Sequence, residues 1–383
     1  MRFFAVALLT TLFFSPSAAL AATVRVALVT SEPQATVTAY TPIIVEVGEE
    51  TLVIDGPVTV VATAERFLVD GRPWPVNEVT LSTDELPLRF QGRSYRGEMR
   101  IVRNGRELAV VNHVDLEDYV AGVIGVEMSP TWPLESLKAQ AVASRSYVAV
   151  QMTRPRGADW DVCATVASQV YRGLERESGL VRQAVTETGG IVALYNGAVA
   201  ETFFHSSAGG RTSTLSEAWN GKDRPYLVST VADHEGGAPF VRWRVGLSGS
   251  HIREQLAKRG IRVGAIRSIN PSKFTKSGRV ATLRIVHDRG EIKMSAGRFR
   301  EMIGQTTLRS SRFSVSRKKG QFVFVGNGFG HGVGMSQFSA RGMALKGATF
   351  DEIVTHFYAG VSLEPLDPSV HLMAEGSPVV AAQ

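Results

Sequence analysis

Apolar and polar residues alternate from Thr23 to about Gly92, in the runs VRVALV, TPIIVEV, TLVIDG, VTVVATAERFLV and VTLST. A two-residue period sends successive side chains to opposite faces of a strand, and the Gly, Pro and Asp between the runs supply turns. The pattern predicts a small β-rich domain over residues 23–92. Strands continue through YRGEMRIVRNGRELAVVNHV, Tyr95–Val114, with Asn104-Gly105 as a hairpin signal. The period then lengthens. In VDLEDYVAGVIGVEM the apolar Leu116, Tyr119, Val120, Val123 and Ile124 follow the i, i+3, i+4 rule, predicting a helix capped by Asp115 with Asp118 in its first turn. A second helix starts at Pro133, whose fixed φ suits the first helical position. It runs through LESLKAQAVASRSYVAVQM, with Lys138, Val142 and Arg145 on one face.

Glu127 breaks the first helix's pattern, because it follows Ile124 by three residues and Val123 by four and so stands on the apolar stripe. A carboxyl group on an inward face loses solvation when charged, which raises its pKa toward the range a general acid uses. The alternative is a helix-terminal carboxylate tamed by solvent or by Lys138 or Arg145. Those two cations are either polar-face residues of an amphipathic helix or groups that hold an anion.

Two further stretches carry candidate chemistry. HSSAGGRTST, His205–Thr214, combines hydroxyls with a Gly-Gly turn and reads as a substrate-binding loop or a hairpin connection. Its His205, Ser206 and Ser207 do not make a serine hydrolase, since neighbours on a strand face opposite ways and no G-x-S-x-G elbow is present. GNGFGHGVGMSQFSARGMAL places Gly326, Gly328, Gly330, Gly332 and Gly334 between the strand pattern QFVFV and a helical one. Neither G-x-G-x-x-G nor GK[ST] fits the spacing, so a dinucleotide loop and a P-loop are excluded. No HExxH occurs, and His331 and His356 show no ligand spacing, so no metal is expected. His356 reads as a packed residue of a last helix opened by the capping box Thr349–Glu352.

Composition narrows the compartment and partner. The 383 residues carry a formal +6, which suits an anionic partner; the densest basic run, Arg309–Lys319, reads as a solvated face. Residues 1–22 read as a cleaved secretory signal: Arg2, an apolar Phe3–Phe14, then Ala19-Leu20-Ala21. No later segment is apolar enough to span a bilayer, so the mature chain is expected outside the cytoplasm, secreted, periplasmic or in the wall. Cys163 is the only cysteine, which excludes an internal disulfide and a multi-cysteine zinc site. Residues 366–383 are small and weakly patterned, as in a loose tail.

Taken together, DLEDYVAGVIGVEMSPTWPLESLKAQAVASRSYV, TFFHSSAGGRTSTLSEAWNG and GNGFGHGVGMSQFSARGMALKGATFDEIVTHFYAGV strongly resemble the SpoIID/LytB domain family, over about Tyr95 to Leu363. The resemblance implies an α+β fold: a SpoIID-type domain over 93–365 with a glycan-binding cleft, preceded by the β-rich domain. It implies a peptidoglycan lytic transglycosylase that cuts the MurNAc–GlcNAc bond of peptide-stripped strands and leaves a 1,6-anhydro end. It places the catalytic acid at Glu127 in EMSP and essential cations at Lys138 and Arg145, there to hold the lactyl carboxylate. His205, Ser206, Ser207, Gly209, Gly210, His331 and Gln337 are the further candidate substrate contacts. No cofactor is expected; the partners are glycan strands and a candidate peptidoglycan amidase, not nucleic acid. The alternative is a non-catalytic amidase enhancer that binds wall glycan. One departure stands out. Sporulation members carrying D-x-C-D-T-x-H-C use its histidine and cysteine toward zinc, and here DVCATVAS has Ala167 and Ser168 in their places.

Overall fold

The computed structural model describes residues 22–154 and 159–372; the expected signal, but for its last residue, and the end of the expected tail lie outside them. From Thr23 to Asp115 the chain is built of strands in two sheets. The larger runs Val162–Cys163, Thr23–Glu32, Glu107–Asp115, Glu98–Asn104, Glu78–Ser82, Ile43–Val47, Glu50–Ile54. The smaller runs Arg93–Tyr95, Leu88–Phe90, Gln34–Thr38, Val58–Ala62, Phe67–Val69, Arg72–Trp74. Alternation does what it dictates: Ile43, Val45 and Val47 are buried while Glu46 is exposed. Asn104 pairs with Glu107 across the expected hairpin, and Gly105 there takes a left-handed φ of 63°.

Strands on both sides of position 92 share a sheet, Glu78–Ser82 with Glu98–Asn104 and Thr23–Glu32 with Glu107–Asp115. The same apolar core continues into the helices, joining Val24, Val45 and Leu81 to Tyr119, Val123 and Val142. The β-rich region is therefore continuous with the helical part of the chain.

Asp115 caps α1 (Leu116–Glu127), its carboxylate accepting the N–H of Glu117 at 2.8 Å. The central α2 (Leu134–Met152) packs against α1 and α3 (Gly179–Glu187). Beyond the short α4 (Leu215–Trp219) the chain leaves this core and builds a second one. That lobe comprises the sheet Arg242–Ser248, Gln321–Asn327, Phe313–Lys318 and the sheet Ile266–Phe274, Val280–His287, Gly290–Ser295. With them pack α5 (Gly249–Ala257) and α6 (Ala296–Ile303), around Ile252, Leu283, Phe299 and Phe324. Sequence patterning did not separate this insertion from its surroundings.

The chain then re-enters the first core. Met335–Ser336 pairs in parallel with Phe204–His205, and α7 (Gln337–Leu345) and α8 (Phe350–Phe357) close over α2. The capping box at Thr349 and Glu352 is formed, whereas His356 is exposed and bonds the Val231 carbonyl instead of packing. Within the tail, Pro368–His371 forms one helical turn capped by Asp367. The molecule is α+β. Among the described residues no helix is long and apolar enough to cross a membrane.

Candidate functional site

Glu127 is the last residue of α1, partly buried, and its Oε1 accepts the N–H of Val170 at 2.8 Å. Burial raises its pKa above the ordinary carboxylate value; the Val170 bond and one from Gln337 work against that rise. Gln337 opens α7, is buried, and lies with its Nε2 3.4 Å from Gln140 Oε1. Gln140 donates in turn to Ser144, one turn along α2, at 3.0 Å. The carboxyl thus stands where α1, α2, α7 and the 161–172 loop meet, and no cation among the described residues is bonded to it.

That loop is held by its own polar groups. Ser168 accepts the Cys163 N–H at 3.2 Å, and Tyr119 donates to Gln169 Oε1 at 2.9 Å. Gln169 Nε2 is buried without a hydrogen-bond partner, one residue from the amide that fixes Glu127. Among the described residues no group of His, Cys, Asp and Glu has the arrangement to hold a metal ion.

The linkage has a definite sign. Because the folded-state pKa is raised, ionising Glu127 costs more in the folded protein than in the unfolded chain. Stability is thus greatest below the ordinary value of 4.5 and falls as pH climbs through the folded pKa. Glu127→Gln keeps an acceptor for Val170 and removes the charge. It should raise the melting temperature at about pH 7.5, with the gain vanishing near pH 4. Identical gains at both pH values, read by scanning calorimetry, would mean that the carboxyl is solvated.

Lys138 and Arg145 stand elsewhere. Lys138 Nζ lies 2.8 Å from Glu135 and 2.5 Å from Glu187, tying α2 to the end of α3. Arg145 is fully buried; its Nε and Nη2 grip Glu117 at 2.8 and 2.6 Å, and Nη1 reaches the Ile191 carbonyl at 2.9 Å. Glu117 and Glu127 sit at opposite ends of α1, about 15 Å apart at 1.5 Å per residue. The structure does not bring either cation to the carboxyl group. The face they share is turned to α3 and the Ile191–Tyr195 strand.

The glycine run answers to protein packing. Gly332 and Gly334 take φ of 89° and 69°, a region side chains avoid. A Cβ at Gly332 would overlap the buried Arg279 guanidinium, and one at Gly334 the Phe203 carbonyl. Gly334→Ala should therefore cost about 1–3 kcal/mol from backbone strain alone, more with the clash, measured by urea unfolding. A neutral result would show that the loop is free to move.

The histidines belong to the same packing. His205 donates from Nδ1 to the Val333 carbonyl at 3.1 Å, and His331 Nδ1 accepts the Val333 N–H at 3.1 Å. Their rings stand 5.4 Å apart, and burial lowers both pKa values, that of His331 to about 3, so both are neutral at pH 7. The rest of HSSAGG is engaged too. Ser206 offers its carbonyl to the Phe338 N–H at 3.0 Å, and the Ser207 hydroxyl accepts from Phe329 at 3.0 Å. The amides of Ala208, Gly209 and Gly210 converge on buried Glu235, which also accepts the Ser336 hydroxyl at 2.6 Å. Since Ser336 caps α7, Glu235 couples this loop to the helix that presents Gln337.

An aromatic row leads from this loop to α2. His331 meets Trp219 at 4.7 Å and Trp219 meets Phe203 at 5.2 Å, both tilted, and Phe203 meets Tyr147 of α2 edge to face at 5.9 Å. Sequence reasoning named neither the row nor Gln140, Gln169 and Glu235. Only Gln140 and Ser144, polar at i and i+4 within the small apolar run KAQAVAS, left a signal.

Comparison with known proteins agrees with this architecture. The family described as SpoIID, stage II sporulation protein, matches residues 104–195, spanning α1, α2 and the Val170 loop. A domain of unknown function (DUF8618) matches residues 232–334, essentially the inserted lobe. An uncharacterized protein of Brachyspira hyodysenteriae is 33% identical over 295 residues, 75% of this chain and 78% of that protein. Stage II sporulation protein D of Bacillus amyloliquefaciens is 30% identical over 67% of this chain and 76% of its own. The amidase enhancer of Bacillus subtilis is 27% identical over 78% of this chain and 51% of its own length. The chain belongs to the SpoIID/LytB family.

Proposed function

We propose that the protein acts in the cell wall as a lytic transglycosylase on peptide-stripped glycan strands. The observation that carries this is the environment of Glu127: a carboxyl group desolvated enough to raise its pKa, fixed by the Val170 amide, and free of a bonded cation among the described residues. A protonated carboxyl held in place is what a general acid requires.

One carboxyl suffices if the substrate supplies the nucleophile. Glu127 gives its proton to the oxygen bridging MurNAc and GlcNAc as that C1–O bond breaks. The muramyl C6 hydroxyl then attacks C1, and the Glu127 carboxylate takes the hydroxyl proton. The acid is restored, no water is consumed, and the product carries a 1,6-anhydro bond. An ordinary glycosidase would need a second carboxylate. Gln337 and Gln140, buried amides bonded to each other, are positioning residues that hold the surroundings of the acid in place. The row Tyr147, Phe203, Trp219 offers ring faces along which a strand can lie. Arg145 and Lys138, saturated by Glu117, Glu135 and Glu187, act as positioning residues that hold the helices in register.

A second reading, a non-catalytic stimulator of a peptidoglycan amidase, is favoured by the likeness to the amidase enhancer over 78% of this chain. The two separate cleanly. The purified protein alone should shorten stripped strands on gel filtration; strands left intact by the protein alone, together with an amidase that cuts faster in its presence, would select the enhancer.

A further inference from the structure

Basic residues that look scattered along the chain are gathered in space. Between Phe240 and Asn327 stand 20 Lys and Arg against four Asp and Glu, a formal +16, while the remainder of the +6 chain carries −10. In that lobe 16 of the 20 cations are exposed. Among the described residues, carboxylates within 4.0 Å serve just three of these, Lys258, Arg284 and Arg289. Arg242, Arg244 and Lys318 share the outer face of one sheet, where strand register aligns Arg244 with Val325 and Ser248 with Gln321 and Lys318. On the other sheet Arg284 stands directly opposite Lys293, and Arg317 reaches the Arg267 carbonyl at 3.3 Å. Like charges so placed repel and lower stability, and solubility alone is served better by interspersed signs. A concentration of this kind is explained by a partner that neutralises it.

We propose that the inserted lobe is the docking surface for the stripped glycan strand, whose free lactyl carboxylates make it a linear polyanion. This rests on the reading of the protein as acting on such strands and adds how it selects them. The lobe's edge supports a saccharide. A cavity of about 790 Å³ where the lobe meets α4 is lined by Trp219 and Phe274, 48% and 63% exposed, by the hydroxyls of Thr214 and Ser216, and by Lys276, Arg298 and Arg300 set against Glu217, Asp223 and Glu301. Ring faces suit the C–H faces of a pyranose, and the hydroxyl and mixed charged groups its hydroxyls, while the lactyl carboxylates meet the unpaired cations of the sheets outside the cavity. Trp219 is also the exposed member of the row that runs through Phe203 to Tyr147 of α2, the helix whose Gln140 is bonded to Gln337 beside Glu127. The cations occupy both sheets and α5, not one plane, which favours a strand over a flat lipid surface.

The test is binding, measured by fluorescence anisotropy with the full chain carrying Glu127→Gln so that strands survive. The probes are labelled stripped strands, the same strands with carboxyl groups reduced to alcohols, and neutral chitin oligomers of equal length. Stripped strands should bind about tenfold or more tightly than either neutral probe, and lose about tenfold or more between 50 and 200 mM salt. Arg242→Gln/Arg244→Gln/Lys318→Gln should weaken that binding and flatten its salt dependence with a melting temperature no lower than that of the wild type; Trp219→Ala should weaken all three probes alike. Equal affinity for charged and reduced strands overturns the proposal. So does tighter binding to phosphatidylglycerol vesicles or duplex DNA than to stripped strands. Cutting by the wild-type chain without salt-sensitive docking would sink the lobe's role alone, and docking without cutting the enzymatic reading alone.

Discussion

Glu127→Gln removes strand cutting, lowering kcat by about 10³-fold or more while strand affinity is kept. The amide retains the shape of the carboxyl and its acceptor for Val170, so the geometry at the end of α1 survives. What it lacks is a proton to give and a lone pair basic enough to take one back. Both halves of the proposed reaction use that single group, so the loss should exceed that of an enzyme dividing the work between two. The rate of the wild-type protein should also fall as pH rises through the raised pKa of Glu127, because the protonated form starts the reaction. Single-turnover kinetics across pH would show both effects. Substantial residual cutting by the variant would move the acid elsewhere, and no other carboxyl among the described residues stands beside Gln337 and Gln140 in this way.

Glu117→Ala should be the more damaging of two changes at the other end of the same helix. It leaves the Arg145 guanidinium fully buried with one carbonyl for company, a loss of about 3–5 kcal/mol. Arg145→Met instead leaves Glu117, whose side chain is 33% exposed and within reach of water, with the Gly190 N–H still bonded to it at 3.1 Å, so about 1–3 kcal/mol is expected. The order is the informative part, because counting the same ion pair from either side would give equal costs. Urea unfolding of the two variants settles it. Folded Arg145→Met should also cut strands with an unchanged KM. A raised KM in a folded variant would restore Arg145 to the substrate, and a reversed stability order would mean that the pair is better hydrated than the structure has it.

Local periodicity carried much of this fold. The strand runs before Asp115, the Asp115 cap, the end of α1 at Glu127, the start of α2 to within one residue (Pro133 is its cap, not its first residue) and the capping box at Thr349 all depend on neighbours a few residues apart. Glu127 was legible for the same reason, as a carboxyl on an apolar stripe. Arg145 and Lys138 show where such reasoning ends. Helical spacing puts them on one face, but which neighbour that face meets is decided by α3 and the Ile191–Tyr195 strand, more than forty residues onward. The glycine run was ambiguous in like manner. Five glycines at alternate positions mark a backbone without side chains, yet the groups filling the space, Phe203 and Arg279, come from remote segments. The inserted lobe went unnoticed because its short β-branched strands resemble those around it. Its charge emerges only when residues 240–327 are counted as one body.

The chemical form of the cut end tests the central claim most directly. Stripped strands incubated with the purified protein are analysed by mass spectrometry. A desolvated Glu127 working with the muramyl C6 hydroxyl predicts fragments whose muramic ends lack one water, as 1,6-anhydro sugars. Ordinary reducing ends would mean that water had attacked with a second carboxylate in play, and would contradict the account.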